Sequence, residues 1–256
     1  TNAKAVLRDG TTRLKKDGEI IHHHSGVAGF AEYAVLPKEA LVRIGKHIPF
    51  EHAALFGCGV VTGVGAVINT ASAREEDSIA IVGLGGVGLS ALLASIAIGS
   101  KKTIAIDLSN EKLNLAHELG ADHILNPNDA NFLERVRDLT SGGANIAIET
   151  AGSGRALKTA YDITRRGGTT VAAGMPGPKV DITLSHLSIA AEERIIKGSY
   201  MGSCIAHRDI PKYLDMFQTG KLPVDRLLSR KITFEDLNAA MDRLDDAKTV
   251  REVLIP

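Results

Sequence analysis

The tightest constraint on this chain is a glycine-spaced turn held between two apolar runs. Gly83-Leu-Gly-Gly-Val-Gly88 fits G-x-G-x-x-G at Gly83, Gly85 and Gly88. Ile79-Ala-Ile-Val82 precedes it, and an apolar stretch from Val87 to Ile98 follows. The short run reads as a strand buried on both faces, and the longer one as a buried helix. In that context the first glycine permits a tight turn, and the second lets the backbone approach a pyrophosphate. The third allows close helix–strand packing. The helix then aims its free N-terminal amides at the phosphates. Asp107 lies 19 residues beyond Gly88, after a second apolar run, Thr103-Ile-Ala-Ile106. A carboxylate there accepts hydrogen bonds from the adenosine ribose hydroxyls and repels a 2′-phosphate; alternatively it caps the next helix. No Arg or Lys occurs in the four residues after Asp107. The pattern predicts a dinucleotide site, with Gly86 and Val87 as further contacts in the turn and NAD preferred to NADP.

The alternation continues along the chain. Asn110 caps a helix to Leu119, stopped by Gly120, and His123–Leu125 is a third strand. Asn131–Leu139 has Phe132, Val136 and Leu139 at helical spacing, and Asn145–Ile148 is a fourth strand. A helix over 155–164, a fifth strand over 168–174 and a sixth over 195–200 complete the series. Such alternation implies βαβ units and a parallel sheet. The flanks differ. Before residue 60 there are turn signals at Asp9-Gly10 and Asp17-Gly18, and strand-like runs at Phe30–Leu36 and Leu41–Ile44. A helix over 207–219, a strand near 227–233, a helix over 234–244 and a terminal strand over 250–255 follow the sheet region. The expected division is a dinucleotide-binding domain at 60–200 and a discontinuous second domain from 1–59 and 201–256.

Composition removes other classes. Thirty Lys and Arg balance thirty Asp and Glu, so there is no basic footprint for nucleic acid or anionic lipid. Residues 78–100 carry no charge and have the length of a membrane span, but five glycines fall within them and charges bound them tightly. No membrane partner is expected. Cys58 and Cys204 are the two cysteines, which fits a reducing, cytoplasmic setting and provides no zinc ribbon. None of the four tyrosines has Lys four residues on, as a short-chain reductase would need, and Val82 stands where a methyltransferase usually places an acid.

Three separated motifs, Phe56-Gly-Cys-Gly-Val-Val-Thr-Gly63, the glycine turn and Ile106-Asp-Leu-Ser-Asn-Glu-Lys112, give the chain a family likeness. It resembles the medium-chain, zinc-dependent alcohol dehydrogenases, and the likeness runs from Thr1 to Pro256. Ile21-His-His-His-Ser-Gly26, Ala31–Val35, Lys197–Gly202 and Val250–Leu254 carry it along the flanks. The resemblance implies an α/β fold: a Rossmann-type doubly wound sheet plus part of a mostly β, GroES-like catalytic domain. It implies oxidation of an alcohol to an aldehyde or ketone, with NAD as hydride acceptor and zinc as Lewis acid.

Residue by residue, the resemblance makes Cys58 the third protein ligand of the catalytic zinc. The family's other ligands, a cysteine and a histidine with a glutamate nearby, are expected upstream of Thr1. It places Thr62 beside the nicotinamide, Lys112 near the adenosine ribose and Arg251 on the pyrophosphate. Gly174 belongs to the cofactor site, and His24, Phe30, Met175 and Met201 surround the substrate and nicotinamide. A small-molecule alcohol or carbonyl substrate and a homo-oligomer, dimer or tetramer, follow from the same likeness. Read without it, Cys58 is a small buried hydrophobe, Lys112 a solvated charge and Arg251 a surface residue of the last strand. His22-His-His24 does not read as a replacement metal cluster, because adjacent side chains of an extended segment point to opposite faces. A zinc-free quinone or enoyl reductase of the same superfamily and a non-catalytic dinucleotide-binding module are the alternative readings.

Overall fold

The computed structural model describes residues 5–7, 9–23, 26–245 and 249–256. The chain opens with a hairpin, β1 (Leu14–Lys16) and β2 (Glu19–Ile21), paired antiparallel. Asp17 and Gly18 close it with φ of 51° and 85°, the left-handed pair that a tight hairpin turn requires. The strand-like runs at Phe30–Leu36 and Leu41–Ile44 do not form strands. Tyr33 and Val35 are 90% and 88% exposed, so these apolar residues have no neighbouring strand among the described residues to bury them.

Next come α1 (Phe50–Ala53) and α2 (Gly59–Gly65), and α2 continues as a π-helical turn over Ala66–Ala71. The six-stranded sheet then forms from β3 (Ser78–Val82), β4 (Lys102–Ile106), β5 (His123–Leu125), β6 (Ala144–Glu149), β7 (Thr164–Ala172) and β8 (Ile195–Gly198). Its order is β5-β4-β3-β6-β7-β8, and every pairing is parallel. The crossover helices are α3 (Gly86–Ala97), α4 (Asn110–Glu118), α5 (Phe132–Thr140), α6 (Gly154–Ile163) and α7 (His186–Ala191). β7 starts at Thr164, four residues before the predicted start, because its pairing with β6 absorbs an irregularity between Ala144 and Ile146. The C-terminal part holds α8 (Ala206–Gln218), β9 (Leu228–Ile232), α9 (Leu237–Asp242) and β10 (Arg251–Leu254), with β9 and β10 parallel.

The strand order reverses at β3: the chain builds outward to β4 and β5 on one side, then returns to lay β6 on the other. In an open parallel sheet the crevice beyond the strand C-termini at that point is the ligand position. β3 is buried at every residue, and Leu89, Leu92 and Leu93 of α3 are buried against the sheet. Each such side chain contributes about 1.5–3 kcal/mol of hydrophobic stabilisation. α2 lies closely on α3: a Cβ added at Gly63 would stand 2.2 Å from the Val87 carbonyl oxygen. One core runs across residues 60 and 200, joining Leu55 and Phe56 with Val60, Val64 and Leu89, and these with Tyr213, Leu214, Leu222 and Val224. Among the described residues no single helix is long and apolar enough to cross a membrane.

Candidate active site

The glycine turn begins where β3 ends. Gly83 has φ of 98°, and its N–H donates to the Ile106 carbonyl at 2.8 Å. Thr150, just past β6, donates its hydroxyl to the Gly83 carbonyl at 2.6 Å. Asp107 ties the turn from the β4 side, its carboxylate accepting the Leu84 N–H at 2.7 Å and the Ser109 N–H at 2.9 Å. The three glycines have distinct surroundings. A Cβ at Gly88 would lie 1.8 Å from the Gly83 carbonyl oxygen, and one at Gly83 would lie 2.8 Å from Ala151. A Cβ at Gly85 would meet nothing within 4 Å. The middle glycine therefore faces open space, as backbone that a ligand approaches must. Gly85 is also the N-cap of α3 and, having no side chain, makes no capping hydrogen bond. The first amides of a helix have no partner within it, and the helix dipole favours an anion at that end.

Two hollows flank this turn. One, of ≈ 240 Å³, is lined by Gly83, Asp107, Leu108, Lys112, Ser153 and Arg155 among others. This is where Asp107 and Lys112 meet. The other, of ≈ 350 Å³, brings Phe30, Leu55, Cys58 and Gly59 together with Arg251. Cys58 is exposed, which removes its reading as a buried hydrophobe. Arg251 is partly buried rather than a surface residue, and its guanidinium lies between the starts of α2 and α3. A Cβ on Gly59 would fall 2.2 Å from it, and one on Gly86 2.3 Å. Burial pulls the Arg251 pKa down, and its electrostatic coupling to the neighbouring Cys58 sulfur opposes that fall.

Thr62 is buried one turn into α2, where its hydroxyl donates to the Cys58 carbonyl at 2.8 Å and reaches the Met201 sulfur at 3.8 Å. Cys58, Thr62, Met201, Gly86, Val87 and Arg251 therefore gather around one junction of α2 and α3. Phe30 borders the Cys58 hollow and is 62% exposed. Met175 stands apart at 77% exposure, while the neighbouring Gly174 packs on Gly152. His24 lies outside the described residues. His22 is exposed and His23 is buried, the opposite facing expected of an extended run.

Two polar residues here had no role in the sequence reading. Thr150 holds the Gly83 carbonyl. Glu149, at the end of β6, is buried, and its carboxylate accepts the Gly152 N–H at 2.5 Å. Burial raises the Glu149 pKa, while N–H groups of Gly152, Ala151, Ser153 and Gly174 favour the charged form. Glu149 thereby holds together the loops after β6 and β7. Its signal was a lone acid closing the apolar run Ile146–Ile148.

The sequence profile of zinc-binding dehydrogenases matches residues 86–219, more than half of the chain. The S-(hydroxymethyl)glutathione dehydrogenase of Paracoccus denitrificans is 30% identical over 264 residues, covering 100% of this chain and 70% of the relative. The chain belongs to the zinc-binding dehydrogenase family. As a zinc-binding dehydrogenase it is an oxidoreductase, and two solved structures share its fold closely. An alcohol dehydrogenase zinc-binding domain protein from Burkholderia ambifaria is similar at TM-score 0.94 and 31% identity, covering 100% of this chain and 70% of that one. A zinc-binding dehydrogenase from Sinorhizobium meliloti 1021, bound to NADP, is similar at TM-score 0.82 and 25% identity, covering 93% and 68%.

The family name raises the question of the metal. A catalytic zinc generally takes three protein ligands and keeps one open position. Among the described residues no three His, Cys, Asp or Glu side chains converge on a point that could hold an ion. Cys58 brings a single sulfur, so the described residues do not by themselves fit a catalytic zinc.

Proposed function

We propose that this chain binds NAD across the mouth of β3 and serves hydride transfer between the cofactor and a small alcohol or its carbonyl product. The observation that carries the reading is Arg251. Among the described residues no carboxylate pairs with its guanidinium, although it is partly buried beside the uncapped start of α3. A desolvated, unpaired cation is costly unless a ligand completes it. A pyrophosphate would do so through two parallel charge-assisted hydrogen bonds. Bound NAD supplies the hydride acceptor. The backbone of Gly85 and Gly86 would carry the phosphates, and Asp107 would take the ribose hydroxyls. Its two bonds to backbone N–H leave lone pairs free, since a carboxylate accepts about four hydrogen bonds. Lys112 shares that hollow. Thr62, Val87 and Met201 would bound the nicotinamide, with Cys58 and Phe30 on the substrate side and Gly174 and Met175 at the far rim. The boundaries stay part of the proposal, 60–200 for the dinucleotide-binding domain and 1–59 with 201–256 for the catalytic domain, with Met201 and Arg251 of the latter reaching into the cofactor site.

A homo-oligomer belongs to the same proposal. It is supported by β8, which among the described residues is an edge strand of the sheet and exposes Ile195 and Ile196. Two free cysteines support a reducing, cytoplasmic setting.

The test is a fluorescence titration with NADH and with NADPH. NADH is expected to bind more tightly by about tenfold, a difference of ~1.4 kcal/mol, because a 2′-phosphate would meet the Asp107 carboxylate. Asp107→Ser should weaken NADH and narrow the gap. NADPH binding equal to or tighter than NADH would overturn the cofactor assignment, and the NADP-bound Sinorhizobium relative makes that comparison worth running first.

A further inference from the structure

The turn that carries Met201 is held in an unusual conformation. Met201, Gly202 and Ser203 have φ of 49°, 64° and 50°, three consecutive residues in the left-handed region. Glycine alone adopts that region freely, and side-chain-bearing residues persist there only where their surroundings force them. Here Gly202 is pressed onto the middle of α2. A Cβ on it would stand 2.2 Å from the Val61 carbonyl oxygen and 2.8 Å from the Gly65 Cα. Thr70 steadies the far side of the turn, its hydroxyl 2.9 Å from that of Ser203 and 2.8 Å from that of Ser199.

A buried polar clamp closes on the near side. The amide nitrogen of Asn69, on the π-helical turn, donates to the Gly202 carbonyl at 3.1 Å. The same nitrogen lies 3.3 Å from an Asp209 carboxylate oxygen and 3.0 Å from the Tyr213 hydroxyl. That Asp209 oxygen also accepts the Ile205 N–H at 2.8 Å, which fixes the chain just after the turn. Asp209 is 2% exposed and Tyr213 fully buried. Arg208 completes the charge, its guanidinium nitrogens 2.6 and 3.0 Å from the two carboxylate oxygens. The Arg208 hydrogen bond holds the Asp209 carboxyl below its ordinary range against the opposing effect of burial. Burial, and then the Asp209 charge, push the Cys204 thiol up to about 11 and the Tyr213 hydroxyl up to about 12. The clamp thus holds one carboxylate charge among neutral groups, and Arg208 balances it.

We propose that Asp209, acting through Asn69, is a positioning residue for the nicotinamide end of the cofactor site. It locks the Met201–Ser203 turn against α2 and so sets the Met201 sulfur on the Thr62 hydroxyl. Neither Asp209 nor Asn69 lines the hollows around Cys58 and Asp107. The proposal rests on the cofactor reading given above and goes beyond it by assigning a role to a residue outside the site.

The test separates the two ends of the cofactor. NADH reports on both ends, while ADP-ribose, which lacks the nicotinamide, reports only on the adenosine and pyrophosphate end. Asp209→Asn should weaken NADH by about tenfold, the scale of a lost charge-assisted hydrogen bond, and shift NADH emission toward its value in water. ADP-ribose affinity should hold within about twofold, because the Gly83–Gly88 turn and Asp107 are untouched. Asn69→Ala should reproduce the split, and the double variant should lose little more than either single one. Asn69→Ala also carries the test if Asp209→Asn does not fold. Equal losses of NADH and ADP-ribose would overturn the proposal and leave a merely structural residue, and so would unchanged NADH binding in both variants. A wild-type chain that binds neither ligand would overturn the cofactor reading itself, and this inference with it.

Discussion

Replacing Gly88 with alanine should destabilise the protein by about 3 kcal/mol or more, read as a fall in the urea midpoint at unchanged slope. The added methyl would stand 1.8 Å from the Gly83 carbonyl oxygen and 2.7 Å from the Thr150 hydroxyl. Neither can retreat cheaply. The Gly83 carbonyl accepts from Thr150 while its own N–H is held by Ile106, so a shift breaks both ties. Gly85→Ala is the counterpart. Gly85 has φ of −76°, which any residue adopts, and open space where the methyl would go. Its stability should stay within about 1 kcal/mol of the parent. Its NADH affinity should nevertheless fall by about tenfold or more, because the methyl fills the approach of the pyrophosphate. An unchanged midpoint in the first variant, or unchanged NADH binding in the second, would mean that the turn does not serve as described.

The sheet was legible because its strands are buried on both faces. Runs such as Ile79–Val82 and Ile146–Ile148 have no polar residue to confuse their period. The glycine turn was legible from spacing because backbone approach leaves no other residue type possible at Gly83 and Gly88. Elsewhere local pattern and tertiary context disagreed. Phe30–Leu36 is a mostly apolar, strand-like run, yet a strand needs a partner, and the described chain gives it none. The helix over Gly59–Ala71 went unread because a segment with glycines at 59, 63 and 65 has poor intrinsic helix propensity. Those glycines are there for close packing: 59 faces Arg251, 63 faces α3 and 65 faces Gly202. Arg251 came from a family likeness alone, since nothing local distinguishes an arginine on a terminal strand. Glu149 and Asp209 went unread for a related reason. Their significance lies in loops and helices distant in sequence that close over them.

Arg251→Ala should weaken NADH by roughly 10- to 150-fold, corresponding to the ~1.5–3 kcal/mol of hydrogen bonds to a charged group. Stability is expected to move the other way. The guanidinium gives up water at the junction of Gly59 and Gly86 without gaining a carboxylate among the described residues. Burial disfavours its charged form and lowers its pKa. Removing a desolvated, unpaired cation relieves that cost, so the urea midpoint should hold or rise. Loss of affinity with retained stability is the signature of a residue kept for its ligand. A structural arginine would show the reverse. Arg251→Lys refines the test: it keeps the positive charge and loses the planar fork, so its affinity should fall between parent and alanine variant. If the alanine variant binds NADH as the parent does, the pyrophosphate is held elsewhere, and the uncapped amides of α3 become the first place to look.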